Sequence, residues 1–510
     1  MNFDLKTLAK GAAWLALFAA APAFAQEVAA VAGATAAAVP AVVEVAAPAV
    51  VEVAAPAVVE VAAPAVAEVA AAVAAPAAPV ADKGDTAWML TATVLVFLMT
   101  IPGLALFYGG LVRSKNMLSV LTQVFMICAI VCLLWVTYGY SMAFTGGNEF
   151  VGGFSKVFLK GVTTSSMAAT FSNGVYIPEY VFIAFQMTFA MITPGLIVGA
   201  FAERVKFSSL MIFVVAWVTI VYFPIAHMVW YWAGPDFLKD APTDYGFLWG
   251  KGALDFAGGT VVHINAGIAG LVGCLIIGKR TGFGKEAMPP HSLVMTMIGA
   301  SLLWVGWFGF NAGSNLEANG LTALAMMNTF TATAGAAVAW MLIEQLSHGK
   351  PSMLGGVTGA VAGLVAITPA SGFATPMTSI LLGIAASLVC FVFCTTIKNK
   401  LKYDDSLDVF GVHCVGGILG AIGTAIVADP ALGGQGFLDY TVIPAVAGAY
   451  DMVGQLKTQA IAVGVTLLWS GGVSAVLFLA LKYTIGLRPS VEVEREGLDI
   501  AELGERAYNN

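Results

Sequence analysis

The chain has 510 residues, 59% of them hydrophobic and 10% charged, with 56 glycines. Soluble domains carry about 25% charged residues, so this composition excludes a soluble fold and marks an integral membrane protein. Acidic residues outnumber basic ones, 30 to 23, for a net charge of −7. The charges are scattered, with no polybasic footprint for nucleic acid.

In chain order, residues 1–25 read as a cleavable signal peptide. Lys6 and Lys10 give the positive start, Gly11 to Ala20 the short apolar core, and Ala23-Phe24-Ala25 the cleavage site. Residues 26–81 form an Ala/Val/Pro tract in which Pro40, Pro48, Pro56 and Pro64 alternate with Glu44, Glu52, Glu60 and Glu68. Recurrent proline stops helix growth and recurrent glutamate forbids membrane insertion, so the tract reads as an extended tether.

From Thr86 onward the chain is a series of apolar stretches near bilayer length. The expected spans are 86–110, 117–144, 178–202, 208–232, 256–278, 292–315, 321–345, 353–370, 376–397, 407–428 and 458–484, with 353–370 the weakest. An all-α membrane protein of eleven helices is thus expected over 82–484, followed by a cytoplasmic tail at 485–510. Lys and Arg set its orientation. With the N-terminus outside, fifteen fall on the inner side, among them Arg204, Lys279, Arg280, Lys398 and Arg488. Lys156, Lys160, Lys239, Lys251 and Lys457 fall outside. The C-terminus is then inside. Six cysteines lie in apolar runs without metal-ligand spacing and read as small packing residues, and no metal or cofactor is expected.

The fifth span reads DFAGGTVVHINAGIAGLVG and the tenth DVFGVHCVGGILGAIG. Aligned on His263 and His413, glycines recur at +4, +7 and +10: Gly267, Gly270 and Gly273 against Gly417, Gly420 and Gly423. An aspartate precedes each histidine, Asp255 and Asp408. The two spans are an odd number of helices apart and cross in opposite senses. That is the pattern of two inverted five-helix repeats with one helix added, and such repeats place a site at their interface. An ionisable side chain at that depth is a functional hypothesis by default, set against a histidine merely satisfied by the helix backbone. Inverted symmetry would bring His263 and His413 together near the midplane. Asp255 suits the N-terminus of its helix, about 12 Å from His263 along the axis, so capping and attraction of a cation are both open. His227, His291 and His348 read as surface or interfacial residues.

Phe185 and Phe189 share one face of the third span at i and i+4. The sixth span carries Trp304, Trp307, Phe308 and Phe310 before Asn311-Ala312-Gly313-Ser314, and the fourth ends in Met228-Val229-Trp230. By periodicity alone these are core or interfacial-belt aromatics.

Together with IAFQMTFAMITPGLIVGAFAERVKF, IAHMVWYW and GWFGFNAGS, the two histidine motifs resemble the ammonium transporter (Amt/Mep/Rh) family, bacterial Amt type. The resemblance covers about residues 82–510, whereas the repeated tract is not a family feature and the loop 232–255 is longer than expected. It implies a homotrimer in the cytoplasmic membrane, one pore per subunit, transport of ammonium or its analogue methylammonium, and a cytoplasmic PII-type regulatory partner. It further implies that Trp230, Phe185 and Ser314 form the outer recruitment site, with Asp255 as the outer aspartate. Phe189 and Phe310 would be the gate, and His263 and His413 the pore histidines. Competing readings are a sensor of the same fold, a gas channel of the Rh type, and an intramembrane enzyme. The enzyme reading lacks a nucleophile motif: Cys414 beside His413 diverges by about 100° on a helix.

Overall fold

The computed structural model of the protein describes residues 79–237, 243–439 and 446–508. The signal-peptide and tether readings fall outside these, apart from 79–81, where Ala81 bridges to Tyr176. Among the described residues, eleven helices are long and apolar enough to cross a membrane. They are α1 Lys83–Leu111, α2 Ser114–Phe144, α3 Glu179–Phe201, α4 Phe207–Trp230, α5 Gly259–Ile277, α6 Leu293–Gly313, α7 Gly320–His348, α8 Met353–Ala370, α9 Pro376–Leu401, α10 Phe410–Val427 and α11 Met452–Thr484. The boundaries follow the expected spans closely, including the glycine-rich α8. α11 differs most. Asp451 accepts the N–H of Val453 at 3.0 Å and starts the helix in polar sequence, so Lys457 lies within α11 and not in a loop.

Burial separates an inner from an outer set. In their apolar windows 78% of α3 and α8, 72% of α5 and 67% of α10 is buried, against 33% for α7 and α9. The helices that carry the expected site residues are therefore mostly the inner ones. Close approach there depends on small residues. A Cβ on Gly267 would lie 2.3 Å from the Cys414 nitrogen, and one on Gly417 would lie 3.0–3.2 Å from Ile264, Gly259 and His263. So α5 and α10 cross at each other's first turns. The next pair in the register behaves alike: Gly270 faces Ala200 at the end of α3, and Gly420 faces Ala366 in α8. α5 stands to α3 as α10 stands to α8, the relation of two five-helix halves. Both helices also open with a π-helical turn, Gly259–Ile264 and Phe410–Cys414, a feature that concentrates at functional sites.

The two ends of the bundle differ. At one end, loops carrying the antiparallel pair β1 (Met167–Ala169) and β2 (Tyr176–Pro178) and a second pair, β3 (Leu438–Asp439) and β4 (Val446–Ala447), surround a vestibule. At the other end, charges pair densely. Arg280 grips the Asp404 carboxylate through Nε and Nη2 at 2.8–3.2 Å, Arg113 bonds Glu203, and Lys398 bonds Asp408. The C-terminal segment, with α12 (Val491–Glu496), docks on this end. Asp499 accepts the N–H groups of Leu118 and Ser119 at the start of α2, and Glu502 accepts that of Phe207 at the start of α4.

Candidate functional site

The vestibule encloses about 1630 Å³, and Phe189, Trp230, Asp255 and Ser314 line it. Four different elements bring them together. Trp230 ends α4, and its Nε1 donates to the Asp255 carbonyl at 2.9 Å. Ser314 follows the last residue of α6 and donates its hydroxyl to Phe310 O at 2.8 Å. The Phe189 ring stands edge-on to Trp230, with centroids 5.6 Å apart at 90°. Phe185 does share a face with Phe189, centroid to centroid 5.0 Å. It is nevertheless fully buried behind that ring, against Gly313, and is absent from the vestibule wall.

Below the vestibule, Phe189 and Phe310 stack with centroids 4.2 Å apart and planes at 25°. Beyond them lies a cavity of about 10 Å³, room for about one water-sized molecule. Leu104, Ile192, Leu303 and Val361 line it, together with His263, His413, Trp307 and Phe310. The two imidazoles meet there. His263 Nδ1 and His413 Nδ1 are 3.3 Å apart with rings 5.4 Å between centroids. One Nδ1 must carry the proton and the other accept it, which links their tautomers. His263 Nε2 is buried without a protein hydrogen-bond partner, so it offers the cavity an open donor or acceptor.

Asp255 is a cap. Its Oδ1 accepts the N–H groups of Gly258 and Gly259 at 2.9 and 2.5 Å, and its Oδ2 those of Thr260 and Val261 at 2.9 and 3.2 Å. The Thr260 hydroxyl bonds the same oxygen. These are the donors that the first turn of α5 leaves unpaired. Burial pushes the carboxyl above the usual range, against hydrogen bonds from Thr260, Val261 and Gly259 that favour its ionised form.

The related acid in the second half is not Asp408, the nearest one to His413 in sequence. Asp408 pairs with Lys398. Asp405 does the capping, accepting the N–H groups of Val409 and Phe410 at 3.1 and 2.8 Å. It precedes His413 by the same eight positions that separate Asp255 from His263, so register would have identified it. Trp307 is the other residue that periodicity left in the core. It stacks on His263 at 5.4 Å, fixed by Nε1 donating to Thr368 at 2.9 Å.

His227 is fully buried and not interfacial. Its two ring nitrogens face Ala143 O and Asn148 O at 3.1 and 2.9 Å, and its ring stacks on Tyr231. It joins α4 to the end of α2. His291 bonds Val112 O, and His348 is exposed beside Ser347. Among the described residues, no group of three or more His, Cys, Asp or Glu side chains is placed to hold a metal.

Comparisons with known proteins bear on the family and the fold. The ammonium transporters of Aquifex aeolicus and Bacillus subtilis are 46% and 43% identical to the chain, each over 84% of it and over 94% and 99% of their own lengths. Among solved structures, a sensor Amt protein aligns with a TM-score of 0.72 and 28% identity, over 82% of this chain and 98% of its own. Saccharomyces cerevisiae Mep2 aligns at 0.69 and 31%, over 81% and 91%. The model of the Ammonium Transporter Family matches residues 87–508, all of the eleven-helix bundle but the first turn of α1 together with the docked tail, so the chain belongs to that family.

Proposed function

We propose that the protein moves ammonium nitrogen across the cytoplasmic membrane by recruiting the ammonium ion in the vestibule, deprotonating it, and conducting ammonia through the histidine-lined pore. One observation carries the reading: an aromatic lid closes directly over a narrow apolar cavity that holds two hydrogen-bonded imidazoles. Carrying a bare cation through such a cavity costs several kcal/mol or more. Ammonium and potassium have similar sizes, so size alone cannot separate them. Ammonium escapes the barrier by giving up a proton: one N–H bond breaks, its electron pair stays on nitrogen, the proton passes to solvent at the vestibule or to the free His263 Nε2, and neutral ammonia continues. Potassium has no such route.

The face of the Trp230 ring supplies cation–π attraction, worth about 0.5–2 kcal/mol, and Ser314 a hydroxyl. Phe185 backs Phe189. The capped Asp255, its carboxylate oxygens engaged by the first turn of α5, adds negative potential through space. Past Phe189 and Phe310, His263 Nε2 meets ammonia, and the imidazole pair offers the released proton a path.

In this reading the vestibule end is outside and the tail inside, in agreement with the Lys/Arg asymmetry and with residues 1–25 as a signal peptide and 26–81 as a tether. The exposed apolar faces of α1, α6, α7 and α9 serve lipid and neighbouring copies in a homotrimer. The docked tail would receive a PII-type regulator.

Current recordings on proteoliposomes, ammonium against potassium, test the mechanism. Ammonium and methylammonium are expected to be transported and potassium excluded. A proton crossing beside ammonia gives an ammonium-evoked current, and a proton returned to the outer side gives uptake without current. His263→Ala is expected to lose flux, selectivity or both. If both stay intact, the pore-histidine assignment fails.

A further inference from the structure

α11 lies outside the two five-helix halves, yet one buried side chain carries it to the mouth of the vestibule. Gln459 is 1% exposed and stands about two turns into the helix. Its Nε2 donates to Leu254 O and to Ala421 O, both at 2.8 Å, and its Oε1 accepts the Leu254 N–H at 2.8 Å. A single amide thus takes both backbone groups of the residue before Asp255 and ties them to α10. Gln455, one turn earlier, donates from Nε2 to Gly252 O at 2.9 Å and to Gln459 Oε1 at 3.3 Å. From the other side Trp230 holds the Asp255 carbonyl. Residues 253–255 belong to no helix or strand, so these side chains decide where the segment sits.

The opposite mouth is braced differently. Arg204 donates to Asp404 O, and at 2.6 Å to the Ser406 hydroxyl, while Lys398 Nζ donates to Asp405 O at 3.3 Å. The two capping acids therefore occupy contrasting electrostatic settings. Beside Asp405 the braces are cations that offset its charge. Beside Asp255 the brace is a neutral amide, which leaves the negative potential available to an arriving cation. The amide also has both a donor and an acceptor for the Leu254 peptide, which neither Lys nor Arg has.

We propose that Gln459 is the positioning residue of the outer mouth. It fixes Asp255 over the start of α5, and with it the Trp230 side chain bonded to that segment, without adding positive charge. In this way it sets the affinity and selectivity of cation recruitment. The inference rests on the recruitment reading above and assigns α11 a part in it.

The test compares wild type with Gln459→Leu in proteoliposomes, normalised to the amount of inserted protein. Half-maximal ammonium transport is expected to need about tenfold more ammonium, the equivalent of one or two lost hydrogen bonds, and the preference for ammonium over potassium to fall. Gln459→Lys keeps donors for Leu254 O and Ala421 O but adds a charge, and it is expected to raise the half-saturation concentration further. Should Gln459→Leu fail to insert, Gln459→Asn, still polar but one methylene short, is expected to show the same rise. A lower maximal rate with half-saturation and selectivity unchanged would make Gln459 a brace of the bundle only and overturn the inference. Wild-type protein that transports neither ammonium nor methylammonium would instead sink the recruitment reading itself.

Discussion

At the scale of single residues, the histidine pair depends on positions that have no side chain. The Gly267 Cα lies against the Cys414 backbone, where an added methyl has no flexible neighbour to displace. Gly267→Ala must push α5 from α10 and separate the imidazoles. A cost of about 1–3 kcal/mol is expected for overpacking of this kind, read as a lower thermal midpoint of the detergent-solubilised protein together with lost flux. Gly472, exposed on α11 with nothing within 4 Å of its would-be Cβ, is the control: Gly472→Ala is expected to leave the midpoint unchanged or raise it. The glycine register around His263 and His413 was legible in the sequence because it repeats. Phe185 was legible only in part. An i,i+4 spacing places it on the Phe189 face, but whether a ring reaches the vestibule depends on what stands in front of it, and periodicity carries no information on depth.

At the scale of elements, helix ends decide the architecture of both mouths, and they are the least periodic parts of the chain. Asp408 is the acid nearest His413 in the chain, yet the loop path turns Asp405 to the helix and Asp408 to Lys398. Asp404, one residue earlier, joins that loop to the α5–α6 connection. Burial raises its pKa, but hydrogen bonds from Arg280 and the charges of Arg204 and Arg280 outweigh this and hold the carboxyl below its usual range. A carboxyl depressed on folding stabilises above its unfolded pKa of about 3.9, and that stability is lost as pH falls through the folded value. Asp405 behaves in the opposite sense. Burial and the neighbouring Asp408 raise its pKa, so its contribution declines as pH rises from about 4 toward the raised value. Asp404→Asn removes the carboxylate that Arg204 and Arg280 share, leaving Arg280 only Glu203 at 3.7 Å, and is expected to cost about 3–5 kcal/mol at neutral pH. The midpoint gap between wild type and variant is expected to be widest at neutral pH and to close on acidification below about pH 4. A gap that does not change with pH would mean that the ion pair contributes nothing.

At the scale of the whole molecule, the scarcity of charge is organised by side. The vestibule end exposes Lys160, in the loop after α2, and the tail end exposes Lys350, between α7 and α8. Eleven spans between Lys83 and Thr484 were readable because each apolar run matches the thickness of a bilayer. The sidedness rests on the Lys/Arg imbalance, a rule of insertion rather than of packing, so it is tested in cells. Five of the six cysteines are buried and Cys132 is partly so, which makes a Cys132→Ser background suitable for labelling. With a membrane-impermeant maleimide, Lys160→Cys is expected to react in intact cells and Lys350→Cys only after permeabilisation. The reverse pattern would invert the protein. The vestibule would then open to the cytoplasm, Asp255 and Trp230 would face outgoing rather than incoming ammonium, and the tail would be out of reach of any cytoplasmic regulator.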